Sequence, residues 1–234
     1  MAKKEYTMAV DKINKRKSRF KKVKIALSII LLILILFYVI LVIIYEEGRF
    51  TVSLDKNLML KKGIVLYDSL DTKNSKKELK ADKIEFMDNI SMKWIPENIN
   101  EEGDGAHNGD NYIAYTFYIE NNGDDTVDYW SEILIDDVVK NVDEAVRVMV
   151  YLNDVKTVYA KLNNTTEEPE QGTKPFYSEK TVMLEQRTNL QPGDVDKYTV
   201  VVWIEGDDPD CVNALIGGEI KMHMDIKEEH IEQK

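Results

Sequence analysis

The sequence predicts a mainly β protein: an extracellular antiparallel β-sandwich, jelly-roll-like, attached to a single N-terminal transmembrane helix. Three observations predict it. Residues 25–45 form an uninterrupted apolar run, the chain beyond residue 110 alternates with the period of strands, and turn residues punctuate that alternation at short intervals. At 234 residues there is room for one domain of ordinary size plus appendages.

The helix comes first. "IALSIILLILILFYVILVIIY", Ile25 to Tyr45, has no charge and one hydroxyl, Ser28. Its 21 residues, at about 1.5 Å each, match a bilayer core of about 30 Å. Residues 1–24 carry ten Lys or Arg against Glu5 and Asp11, a local charge of +8. The whole chain carries −11, which leaves −19 for residues 25–234. Only Arg49 and Lys56 follow the run closely, so the basic side is expected in the cytoplasm and residues 46–234 outside. The apolar run exceeds a signal-peptide core and "YEEGRF" offers no small-residue cleavage site, so an uncleaved signal anchor is expected. The basic tail then serves topology and attraction to anionic lipid, with no nucleic acid implied.

The strands follow in order. "NYIAYTFYIENNG" is an aromatic strand stopped by Asn-Gly. "DDVVKNVDEAV" has room for a helical turn. "AVRVMVYLND" places Val146, Val148, Val150 and Leu152 on one face, with Arg147 leading the other, and Asn153-Asp154 turns it into "VKTVYAK" as a hairpin. "LQPGD" turns between the strand near residues 180–187 and the one beginning at Asp196. In "YTVVVWI" both faces are largely apolar, Tyr198, Val200, Val202 and Ile204 against Thr199, Val201 and Trp203, as expected of a central strand covered on both sides. "EIKMHMDI" alternates with Ile220, Met222, Met224 and Ile226 inward and His223 outward. Three stretches, "DTKNSKKELKADK", "PENINEEGDGAHNGDN" and "KLNNTTEEPEQGTKP", are expected as solvated loops, the last with Asn-x-Thr matches. The organisation expected is a basic tail 1–24, a span 25–45, membrane-proximal strands and charged loops 46–111, a sandwich core 112–227 and a charged tail 228–234.

The search for chemistry is mostly exclusion. The three histidines, His107, His223 and His230, have no His-Glu-x-x-His spacing and are expected to be solvated. Neither a Gly-x-Ser-x-Gly elbow nor a phosphate loop occurs, and "GDGAHNG" lacks the spacing for one. One cysteine means no internal disulfide framework. Acidic neighbours at Asp207, Asp208 and Asp210 disfavour the thiolate that a nucleophilic Cys211 would need, which leaves it buried or an occasional intermolecular cross-link. The loops "EGDDPD" (Asp207, Asp208, Asp210) and "NNGDDTVD" (Asp124, Asp125, Asp128) offer hard oxygens for calcium without EF-hand spacing. A solvated acidic turn is the competing reading. No catalytic residue is assigned.

"DKYTVVVWIEGDDPDC", followed by "VNALIGGEIKMHMDI", resembles the C-terminal signature of the camelysin/TasA group, surface and biofilm-matrix proteins of Gram-positive bacteria. The matching elements are Tyr198 and its strand, Trp203, Glu205-Gly206, Asp208-Pro209, Cys211, Asn213, Gly217-Gly218 and the strand ending at Ile226. "YTFYIENNGDDTVDYWSEILID" matches the group's earlier strands more loosely. The resemblance covers about residues 112–227, half the chain, and implies a jelly-roll-like sandwich that works by assembly or adhesion. Some members carry a metalloprotease label, for which no zinc motif is present here. Secreted members are released at a small-residue site, where this chain has "IIYEEGRF". The expectation is therefore a membrane-anchored, non-enzymatic display, adhesion or matrix protein that meets itself or other surface proteins through open strand edges. The alternative is a single-pass sensor passing an outer signal to a cytoplasmic partner.

Overall fold

The computed structural model describes residues 2–44, 50–82, 84 and 86–229. It divides into two compact units, residues 1–46 and 47–234.

The first unit is one helix, α1 (Ala2–Ile44). Its stretch Phe20–Leu41, 22 residues, is long and apolar enough to cross a membrane. The apolar side chains there are exposed. The helix continues through the basic tail instead of beginning at Ile25, consistent with a tail rich in Lys and Arg and free of Gly and Pro. Tyr45, the expected end of the span, lies outside the described residues, as does His230.

The second unit is built of strands with one short helix, α2 (Lys56–Lys61). The strands are β1 (Thr51–Leu54), β2 (Ile64–Tyr67), β3 (Glu78–Lys80), β4 (Gly105–Ala106), β5 (Ile113–Asn121), β6 (Val127–Val139), β7 (Val146–Leu152), β8 (Val155–Ala160), β9 (Lys174–Pro175), β10 (Thr181–Leu190), β11 (Val195–Ile204) and β12 (Glu219–Lys227). They form two mixed sheets. One has the order β10-β6-β12-β1-β3; the other runs β2-β5-β11-β7-β8-β9, with β4 also on β5. Most neighbours are antiparallel, but β1 runs parallel to β12 and β9 parallel to β8. The expectation of an antiparallel sandwich is corrected at these two pairings.

Local chemistry explains the turns. Asn153 and Asp154 both take positive φ, 48° and 69°, as a two-residue hairpin between twisted strands requires. Gly193 in "LQPGD" sits at φ +85° between β10 and β11. The helical turn expected in "DDVVKNVDEAV" is a 3₁₀ turn, Val142–Glu144.

One apolar cluster draws on both sheets, with Val52, Ile133 and Met224 from one and Phe117, Val148, Tyr198 and Val200 from the other. β11 lies between β5 and β7, and its second face belongs to another cluster, where Val201 and Trp203 meet Ile90, Ile95, Ile99 and Met149. This strand is central and covered on both sides. Two expected loops contribute to these clusters. "DTKNSKKELKADK" contains β3, which pairs with β1 and buries Leu79. "PENINEEGDGAHNGDN" buries Ile99 and Asn100 over β11.

Candidate functional site

The acidic turn after β11 holds most of the residues singled out in the sequence, and it is tied to three other segments. Arg147 on β7 is buried at 4% exposure, and its guanidinium is ion-paired with Asp208, itself 6% exposed. Arg147 leads the second face of this strand, that face is covered, and the charge survives burial because Asp208 neutralises it. The other oxygen of Asp208 accepts the Asp210 backbone N–H at 2.7 Å.

Glu205 is the second tie. Trp203 Nε1 donates to its Oε2 at 3.0 Å, and the backbone N–H of Met92 donates to the same oxygen at 3.0 Å. Asp207 N donates to Oε1 at 3.1 Å. A carboxylate with this many donors is held as an internal cap. Ile90 pairs with Glu205, and Gly206 N donates to Ile90 O at 2.9 Å. Ser91 Oγ donates to Asp207 Oδ2 at 2.8 Å, and Asn89 Nδ2 reaches Cys211 Sγ at 3.4 Å. Cys211 is half-buried against this loop.

The calcium candidates separate. Asp207 turns to Ser91, while Asp208 and Asp210 gather with Glu170, their carboxylate oxygens within 4.8 Å of one another. Asp210 Oδ2 accepts Asn164 N at 2.9 Å and Glu170 Oε1 accepts Asn163 Nδ2 at 2.9 Å. Each carboxylate of the trio therefore has a protein donor already, and the buried one has Arg147 as its counter-charge. Asp124 and Asp125 are exposed in the β5–β6 turn, where Asn121 Nδ2 binds the backbone oxygen of Asp125 at 2.8 Å. They lie apart from the trio.

The rest of the family-like signature also has structural work. Tyr198 stacks on Phe117 with centroids 5.2 Å apart, and its hydroxyl meets that of Tyr129 at 3.1 Å. Pro209 is exposed at the tip of the turn. Gly217 adopts φ +71°, and a Cβ on Gly218 would stand 2.8 Å from Val142 Cβ and 2.9 Å from the carbonyl oxygens of Leu215 and Val139. Gly218→Ala is expected to cost about 1–3 kcal/mol by overpacking the entry to β12. A urea-unfolding midpoint equal to wild type would contradict this.

His223 is not solvated as expected. It is half-buried on β12, with Nδ1 2.8 Å from Asp136 Oδ1 and Nε2 3.7 Å from Asp225 Oδ2. Ser53 Oγ donates to Asp225 at 2.6 Å, and Lys227 Nζ lies 3.0 Å from Asp225 and 2.8 Å from Glu132. The carboxylates of Asp225 and, at closer range, Asp136 raise the imidazole pKa above its ordinary 6.5, whereas His223, Ser53 and Lys227 hold Asp225 well below its ordinary 3.8. The histidine's contribution is complete below the unfolded value of 6.5 and is lost as pH rises through the higher folded value. That of Asp225 is complete above 3.8 and lost as pH falls toward its depressed value. His223→Gln should therefore flatten the decline of thermal stability above neutrality. The effect is about 1 kcal/mol or less for a partly exposed pair; an unchanged pH profile would refute the assignment. His107, expected in solvent, is half-buried with Nδ1 3.0 Å from Gly105 O and Nε2 3.1 Å from Ile99 O.

Sequence reasoning missed Arg147, Glu170 and Asn89 as members of this region. Only Arg147 left a signal, being the one charge in a strand apolar on both faces.

No protein-family model matches the chain, and no curated protein matches it. Among solved structures it is similar to a β-glucosidase from Kluyveromyces marxianus in complex with glucose, at 14% identity and a TM-score of 0.25. The likeness covers 71% of this chain and 15% of that enzyme's length, and a similarity of this size carries no argument about fold or activity.

Proposed function

We propose that the chain is a membrane-anchored, non-enzymatic surface protein of the camelysin/TasA kind, whose two sheets face each other as a jelly-roll-like sandwich outside the cell. The observation that carries this reading is the pairing of a β-rich unit with a helix that is long and apolar enough over Phe20–Leu41 to cross a membrane and whose apolar side chains there are exposed. Lys and Arg crowd the N-terminal side of that stretch, which favours a cytoplasmic tail and an outer β unit. The acids around the β11 turn have internal partners, which favours a structural role for them and gives no support to a hydrolytic centre or to calcium as more than an accessory ligand.

Display, adhesion or matrix assembly needs a surface that meets a partner. Of the four strands at the ends of the sheet orders, β3, β2 and β9 have three, four and two residues, whereas β10 has ten. β10 is therefore the edge best suited to accept an extended segment from itself or another surface protein. Two measurements test the proposal. Intact mass should find the full-length chain in the membrane fraction, and the protein in vesicles should self-associate or capture an envelope protein. A chain that stays monomeric at every concentration and captures nothing sinks the assembly reading. A fragment lacking α1 in the medium would replace anchored display with release.

A second reading, sensing, is favoured by the unbroken course of α1 from the basic tail through the apolar stretch. Exchange of residues 1–24 for an unrelated basic segment separates the two, since display would survive it and signalling would not.

A further inference from the structure

The sheet edges differ in what they leave open. Lys76 N–H donates to Leu66 O at 2.8 Å and so covers β2, and β9 is two residues ending in Pro175, which has no N–H to give. β10 is covered at its start, where Tyr177 N–H donates to Val182 O at 3.3 Å. Its pairing with β6 is irregular between Thr181 and Met183 and again between Arg187 and Leu190, and such irregularities blunt the ends of an edge strand. The middle, around Gln186, keeps a regular ladder to β6 and has no further strand beside it among the described residues.

The charges on that middle run name its occupant. Glu185 and Arg187 share the face toward the other sheet, where the Tyr159 hydroxyl of β8 donates to Glu185 Oε1 at 3.2 Å and Arg187 Nε donates to Asp196 Oδ2 of β11 at 2.9 Å. Both keep surface of their own, 43% and 28% of the side chain. Half-buried Leu184 and exposed Gln186 lie on the outward face. A strand that continues the sheet must set like faces side by side. For a second β10 running antiparallel about a two-fold axis, one residue then stands opposite its own copy, and that residue fixes every other pair. With Glu185 on the axis two carboxylates meet, and with Arg187 two guanidiniums. With Gln186 on the axis, Glu185 of each copy faces Arg187 of the other, and the two Gln186 amides can exchange hydrogen bonds. Unlike charges directly opposite each other contribute about 0.2–1 kcal/mol, and like charges oppose pairing. Charge complementarity thus selects both the partner and the register.

We infer that β10 pairs edge to edge with β10 of a second copy of this chain, antiparallel and with Gln186 on the two-fold axis, an inference that rests on the assembly reading above. The contact is isologous, so it closes at two copies and does not propagate as a fibre. A few residue pairs make a small interface, and the association is weak and concentration-dependent. Residues 25–234 carry −19, so copies repel one another at low salt, and about 0.15 M salt confines that repulsion to about 8 Å.

The test uses the full-length chain in micelles at about 0.15 M salt, with Cys211→Ser and one new cysteine placed by Gln186→Cys, Leu184→Cys or Thr188→Cys. Residues on the axis stand about 4.5–5.5 Å apart at Cα, within disulfide reach. Copies of residue 184, or of 188, are four positions out of step, about 13 Å. Under mild oxidation the disulfide-linked dimer should form several-fold faster at 186 than at 184 or 188, and faster as the protein concentration rises. A chain that self-associates in sedimentation but links fastest at 184 or 188, or equally at all three, overturns the β10 pairing and leaves the assembly reading standing. A chain that sediments as a monomer at every concentration overturns the pairing, and if it also captures no envelope protein the assembly reading falls with it.

Discussion

Arg147→Met destabilises the β-rich unit by about 3–5 kcal/mol, the usual consequence of removing one member of a buried ion pair. Methionine fills much of the arginine's volume and suits the apolar neighbours, so lost packing is a small part of the effect. The cost lies in Asp208, which stays buried with no counter-charge. A domain stability of about 5–15 kcal/mol leaves little margin for such a loss. Adding Asp208→Asn to Arg147→Met should restore most of it, because the charge disappears while the amide oxygen still accepts Asp210 N–H. Urea unfolding of the full-length chain in micelles, followed through buried Trp203, reads both variants. A single variant as stable as wild type, or a double variant no better than the single, would show that the pair is not what holds the turn to β7.

The same pair marks the limit of what the chain's order of residues discloses. Alternation identified β11 as central because Tyr198, Val200 and Val202 match Val201 and Trp203 in apolarity, and it lies between β5 and β7 with both faces covered. Turns were legible for a local reason, since Asn153-Asp154 and Pro192-Gly193 supply the backbone conformations that hairpins need. Leu79 was not legible. One apolar residue among charges has no period, yet three residues of β3 seat it beside β1. Ile99 failed for the same reason in a Gly- and Asn-rich stretch. At the acidic turn, Asp207 and Asp208 are adjacent in sequence and diverge in space, one to Ser91 and one to Arg147. Partners separated by 61 positions or more cannot be read from spacing. Side-chain type showed that something charged had to be matched, and only the fold showed with what.

Alkali should unfold the β-rich unit in a single cooperative step roughly one to two units above pH 10, through its tyrosines. Tyr67, Tyr115, Tyr118, Tyr129, Tyr159 and Tyr198 are all buried. Five of them donate to a carboxylate: Tyr67 to Glu120 at 2.9 Å, Tyr115 to Asp68 at 3.2 Å, Tyr118 to Asp104 at 2.5 Å, Tyr129 to Asp196 at 2.8 Å and Tyr159 to Glu185 at 3.2 Å. Burial, reinforced by those nearby acids, raises each of the five phenol pKa values above the ordinary 10.0. Burial likewise pushes Tyr198 up to about 12. The sign follows from proton counting. Above pH 10 the unfolded chain releases these protons and the native state keeps them, so stability falls as pH rises. Each group contributes about 1.4 kcal/mol per pH unit, and six together approach about 8. A reserve of about 5–15 kcal/mol is therefore consumed within roughly one or two units. Tyrosinate absorbance from these residues should appear together with the loss of the β circular-dichroism signal. Tyr129→Phe removes one titrating group while Arg187 and Asn153 still hold Asp196, so the transition should become less steep. Six tyrosines ionising near pH 10 with the circular-dichroism signal intact would mean that their hydroxyls reach water in the native state, and that the Tyr–carboxylate pairs do not hold the loops over β5.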